Sequence, residues 1–119
     1  MQKSSEIDTV QIRNKVIGSI ASLAAQEVEG VAGVWGGIWP LTAWAWGPGV
    51  RVEVQDQEVR VWLSLIAEYG FNLPQVAAQV RDRVREMIER MTALTAAEVH
   101  VKIHHVKPRR SSARKEGVG

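Results

Sequence analysis

The sequence predicts an α+β fold: a two-layer sandwich with two amphipathic helices on one face of a small mixed β-sheet. Three observations predict it. Apolar residues recur at three- and four-residue steps in two separate segments, one after Asn14 and one after Pro74. Between them, Val50 to Leu65 alternates apolar and polar residues in two runs that match one another. A third alternating run follows the second helix, and a helical crossover sets such a strand parallel to the one before it. The order reads (β)-α-loop-β-β-α-β, with residues 1–106 as one domain and 107–119 as a disordered basic tail.

The run Asp8 to Ile12 (DTVQI) reads as a short strand. Asn14 then reads as an N-cap. Val16, Ile17, Ile20, Leu23, Ala24 and Val28 fall on one face of the helix that follows, and Gly30 stops it as a left-handed residue. Residues 33–49 form a loop rich in Trp, Gly and Pro. In the hairpin, Val50, Val52 and Val54 alternate with Arg51, Glu53 and Gln55, while Val59, Val61, Leu63 and Leu65 alternate with Arg60, Trp62 and Ser64. A two-residue turn at Asp56-Gln57 sets Val54 against Val59, Val52 against Val61 and Val50 against Leu63. A slip of one residue would turn one apolar face outward, so the pattern itself fixes the register.

Gly70 to Pro74 ends the second strand. Asn72 with Gln75 resembles a capping pair, and Pro74 suits the first helical turn. Val76, Val80, Val84, Met87, Ile88 and Met91 make the buried stripe of the second helix; Arg81, Asp82, Arg85, Glu86, Glu89 and Arg90 make its wet face. The last strand, Glu98 to Val106, presents Val99, Val101 and Ile103 on one side and His100, Lys102 and His104 on the other.

Composition excludes several classes. With no cysteine, disulfides and thiolate metal sites are out, which fits a reducing cytosol. The N-terminus lacks the apolar core of a secretion signal. The uncharged stretch from Gly30 to Val50 holds Pro40, Pro48 and six glycines, a composition unfit for a membrane-spanning helix. Residues 107–119 carry Lys107, Arg109, Arg110, Arg114 and Lys115 against Glu116 alone. The total charge is +2, so the remaining residues are net acidic.

No catalytic, cofactor or metal site is expected. His100 and His104, four residues apart on one strand face, stand about 13 Å apart and cannot share one metal ion. His105 points the other way, and no HxH or HExxH pattern supplies further ligands. Ser64 lies within a strand, not at a nucleophile elbow. Gly30, Gly33, Gly36 and Gly37 follow a helix and lead into no phosphate-binding helix start.

Taken in order, Glu27-Val28-Glu29-Gly30-Val31-Ala32-Gly33-Val34, Gly49-Val50, Glu68-Tyr69-Gly70, Met87-Ile88-Glu89-Arg90-Met91-Thr92, Leu94 and Val99-His100-Val101 resemble the alkaline shock protein family of Gram-positive bacteria, also described as cell-envelope stress-response proteins. The resemblance spans roughly Ile12 to Val106. It implies a non-enzymatic cytoplasmic protein that oligomerises and, in some members, sits beneath the membrane through a protein anchor. Three departures stand out: Ala93 where a glycine is usual, His100 where asparagine is usual, and tryptophans in a loop that tends to carry charges.

Trp35, Trp39, Trp44 and Trp46 are therefore the candidate contact residues, joined by Trp62 and Ile66 on the sheet face opposite the core. Three readings of the loop are open: it folds back over the sheet, it meets a partner or a second copy, or it enters a membrane interface. Lys107, Arg109, Arg110, Arg114 and Lys115 are the candidates for weak contact with an anionic membrane surface. The expected partners are a second copy or a membrane-anchored protein, near the inner face of the membrane. The alternative is a nucleic-acid-binding module that uses the tail.

Overall fold

The computed structural model describes residues 2–36 and 49–108, with side chains in the first helix described from Arg13 onward. The elements are α1 (Gln2–Gln26), β1 (Val31–Val34), β2 (Val50–Gln55), β3 (Glu58–Glu68), α2 (Leu73–Thr92) and β4 (Thr95–Lys107).

The segment Asp8 to Ile12 is not a strand. It belongs to α1, which begins at Gln2, so Asn14 lies inside the helix and caps nothing. From Gln2 to Ile17 no glycine or proline interrupts the chain, and each added residue extends a helix at little cost once a turn exists. The buried face of α1 is also rotated from the expected one. Ile17, Ile20, Ala21, Ala24 and Ala25 are buried, whereas Val16 and Leu23 are 49% and 64% exposed. Alanines let the helix axis approach its neighbours closely, and that packing outweighs the larger side chains beside them. The last turn tightens through Glu27 N–H to the Ala24 carbonyl and Val28 N–H to the Ala25 carbonyl, both 3.2 Å. Gly30 then takes φ +99°, and a Cβ there would meet Val76 and Phe71 within about 3 Å.

The hairpin has the predicted register: Val54 opposite Val59, Val52 opposite Val61, Val50 opposite Leu63. Asp56 turns the chain at φ 59°. At the start of α2, Asn72 Oδ1 accepts from Gln75 N–H at 3.2 Å with Pro74 in the first turn. Val76, Val80, Val84 and Ile88 are buried and Met87 partly so, but Met91 is 60% exposed in the last turn, off the stripe assigned to it. The strand after α2 runs parallel to β3 and is longer than predicted, with extra residues at Ala97 and His104 that bulge it. It ends at Pro108, so Lys107 belongs to the sheet; its carbonyl accepts from Tyr69 N–H at 2.8 Å.

β3 is the centre of the sheet. β4 flanks one side along its whole length, and β1 and β2 share the other, end to end and both antiparallel to it. β1, whose last two residues fall in the stretch 33–49 expected as a loop, is thus the upper half of an edge whose lower half is β2. The two halves meet at Ser64: its carbonyl accepts from Trp35 N–H and its N–H donates to the Gly49 carbonyl, both at 2.8 Å. Trp35 and Gly49 therefore compete for one register position, and a Cβ on Gly49 would collide with the Trp35 carbonyl oxygen. The inward residues Val59, Val61, Leu63, Leu65 and Ala67 are sealed by the helices. Each valine or leucine among them contributes about 1.5–3 kcal/mol on burial. α1 packs on β1 and β2, α2 on β4, and the helices on each other, with Arg83 bridging to Glu27 at 2.7 Å. That bond, first of all, holds the Arg83 guanidinium more firmly protonated than usual.

Candidate contact surface

Among the described residues, the opposite face of the sheet carries no helix. Alternation along β3 sends Arg60, Trp62, Ser64 and Ile66 outward, each a neighbour of a sealed core residue. The register then lines up one row across three strands, with Arg51 on β2 opposite Trp62 and Trp62 opposite His100 on β4. The side chains make that row continuous. The Arg51 guanidinium carbon lies 5.1 Å from the Trp62 ring centre, and Trp62 stacks on His100 at 5.5 Å with 10° between the planes. The His100 Nε2 lies 2.8 Å from Glu98 Oε1, while Arg60 Nε donates to Glu98 Oε2 at 3.1 Å. Arg51 also bridges to Glu53 at 2.7 Å. The hydrogen bond from His100, together with Arg60, holds the Glu98 carboxyl below its ordinary range against the opposing effect of desolvation.

A second stack lies beside the first. Trp35 leaves the sheet edge at Ser64, whose small side chain lets an indole lie over β3, and it reaches His104 on the far strand with ring centres 4.0 Å apart. His104 is the extra residue of the upper bulge. That bulge also corrects the placing of His105: it pairs with outward-facing Ile66, and the inward pattern resumes only at Val106, opposite Ala67.

Of the predicted contact residues, the structure brings together Trp35, Trp62 and Ile66 on this face. Trp62 and Ile66 are half-buried and Trp35 is 40% exposed. Trp39, Trp44 and Trp46 lie outside the described residues, as do Arg109, Arg110, Arg114 and Lys115. The two tryptophan–histidine stacks are the site feature that the sequence reading missed. The Trp62–His100 pair follows once β4 is set parallel to β3 with a bulge at Ala97; the Trp35–His104 pair has no comparable signal, because it crosses a strand. Among the described residues, no three acidic or histidine side chains converge as metal ligands would. A shallow depression beside β2 is lined by Asn14, Val52, Val54 and Glu58 among others, and Asn14 Oδ1 is buried there with no hydrogen bond among the described residues.

The fold is shared with the MamM C-terminal domain. A double variant of that domain aligns with a TM-score of 0.50 at 17% identity, covering 76% of this chain and 90% of the other. Another form of it gives 0.50 at 16%, covering 76% and 95%. Identity that low speaks to architecture alone. The sequence is 35% identical over 100 residues to the stress response regulator gls24 homolog of Streptococcus pyogenes, covering 79% of this chain. The chain spans 56% of the length of that relative. It is 29% identical over 106 residues to the Bacillus subtilis protein YqhY, covering 85% of this chain and 78% of YqhY. Among the described residues no helix is long and apolar enough to cross a membrane. The family model for alkaline shock protein 23, described by a cell envelope-related function, matches residues 2–108, and with the relatives just named it shows that this chain belongs to that envelope-related, stress-response family.

Proposed function

We propose that this protein is a non-enzymatic assembly protein of the envelope stress response, working through protein–protein contacts on the helix-free face of its sheet. The observation that carries this reading is the pair of tryptophan–histidine stacks with Ile66 on a face that the core does not use. Indoles on a flat, rigid sheet make anchors at low entropic cost, and their ion-paired border suits a polar rim. The partner is a second copy or a membrane-anchored protein, which would place the chain at the inner face of the membrane. Trp39, Trp44 and Trp46, which lie outside the described residues, are proposed as further contact residues for the same partner. The tail residues Arg109, Arg110, Arg114 and Lys115 add weak attraction to anionic lipid.

Retention of membrane-fraction proteins on the immobilised full chain tests this reading. Wild type is expected to retain a partner, and Trp62→Ala with Ile66→Ser to lose that retention while keeping the far-UV spectrum. Unchanged behaviour in the double variant would sink the assignment of this face.

A further inference from the structure

We propose that the free edge of β4 is a self-association strand, through which two copies of this chain pair antiparallel about a two-fold axis at His100 to form one continuous sheet. Three observations lead there. β4 is the longest strand, thirteen residues, and among the described residues only β3 pairs with it. An open edge of that length is a template for another strand. Among the described residues only its start is closed, where Arg85 Nε donates to the Ala96 carbonyl at 3.3 Å and Glu89 Oε2 accepts from Ala96 N–H at 3.0 Å.

The core is also unfinished on that side. Leu63, Leu65 and Ala67 are sealed, yet the residues opposite them on the same face, Val101, Ile103 and Val106, are only half-buried. A sheet continued by a second copy, with its own helix layer, would cover them.

The strand, finally, is self-complementary in one register. With His100 opposite its own copy, Glu98 faces Lys102 twice and Val99 faces Val101 twice, the ion pairs outward and the valines inward. Centring the pair on Val101 sets Lys102 against His100, and centring it on Lys102 sets two ammonium groups face to face. Both alternatives lose the paired charges.

This inference does not depend on the outer-face reading. The full chain is expected to give a dimer by light scattering at high concentration. Lys102→Glu puts carboxylates opposite each other in both pairs and weakens the dimer about tenfold at low salt. Adding Glu98→Lys restores it, and far-UV spectra confirm that each variant is folded. Because the chain has no cysteine, His100→Cys introduces a single thiol. In the proposed register it forms an inter-chain disulfide, since directly opposed residues lie about 4.5–5.5 Å apart. Lys102→Cys, about 13 Å from its copy, does not. A monomer at every concentration overturns the proposal. So does open-ended growth in mass, the sign of β4 meeting β2 of the next copy head to tail, or crosslinking at position 102 as efficient as at 100. Should His100→Cys fail to fold, the charge reversal and its rescue still decide. Ile66→Ser tests the outer face separately and leaves the disulfide at position 100 in place.

Discussion

Ala93 holds a backbone conformation that its own side chain resists. At φ 63° it forms the left-handed end of α2, with its N–H on the Glu89 carbonyl at 3.3 Å. Around it Thr92 Oγ1 donates to the Ile88 carbonyl at 2.6 Å and accepts from Leu94 N–H at 3.2 Å, so the turn is held by its neighbours. A β-carbon in that region costs about 1 kcal/mol, which glycine would not incur. Ala93→Gly is therefore expected to raise Tm by several degrees in thermal unfolding, leaving the spectrum unchanged. Glu98 is the residue whose charge the fold favours. Its carboxyl titrates below its unfolded value, chiefly through His100, so its contribution is complete above the ordinary carboxylate range and is lost as pH falls through the folded value. Wild type should thus be more stable than Glu98→Gln near neutrality, with the gap in Tm closing toward pH 3. A gap that stayed constant with pH would contradict the assignment.

At the scale of elements, the junction at Ser64 makes the strongest claim. Because Trp35 and Gly49 occupy the same place opposite Ser64, the segment between them adds nothing to the register of either strand. A chain from which residues 35–48 are excised, joining Val34 to Gly49, should form one unbroken edge strand with Val34 still opposite Leu65 and Val50 opposite Leu63. Closing a loop of that length costs on the order of 2 kcal/mol, so the shortened chain is expected to match or exceed the wild-type Tm despite losing the Trp35–His104 stack. Failure of that chain to fold would mean that the loop completes the core. The helices show the same economy. α1 and α2 are tied by the exposed Arg83–Glu27 pair, but exposed pairs are worth little, and the alanine face of α1 does most to set their approach.

For the whole molecule, a sheet covered by helices on one face and, among the described residues, open on the other divides the labour. The helix side packs aliphatic side chains, sealed along β3 and half-buried along β4; the other side displays aromatic rings and ion pairs. The basic residues beyond Pro108 lie outside the described residues. Removing residues 109–119 takes the net charge from +2 to −1. The expected result is an unchanged Tm, within about 0.5 kcal/mol of stability, and loss of any low-salt binding to anionic vesicles in a flotation assay. Retention of vesicle binding by the truncated chain would move that activity to the tryptophans.

The hairpin register, the cap at Asn72 and the parallel crossover were all readable from residues close together in the chain. Period-two alternation, a capping side chain and a connecting helix act locally, and nothing distant overrides them here. What only the tertiary structure decided depends on partners far apart in sequence. β1 is too short to announce itself inside an uncharged stretch, and it exists because β3 offers an edge. α1 turned its alanines inward because close approach between layers outweighs side-chain size. Alternation placed His100 and His104 outward, but Trp62 found His100 because the bulge at Ala97 resets the register of β4 against β3, and Trp35 found His104 because its indole crosses β3. The upper bulge turned His105 outward as well, and an unpaired extra residue leaves no periodic trace by which a sequence could foretell it.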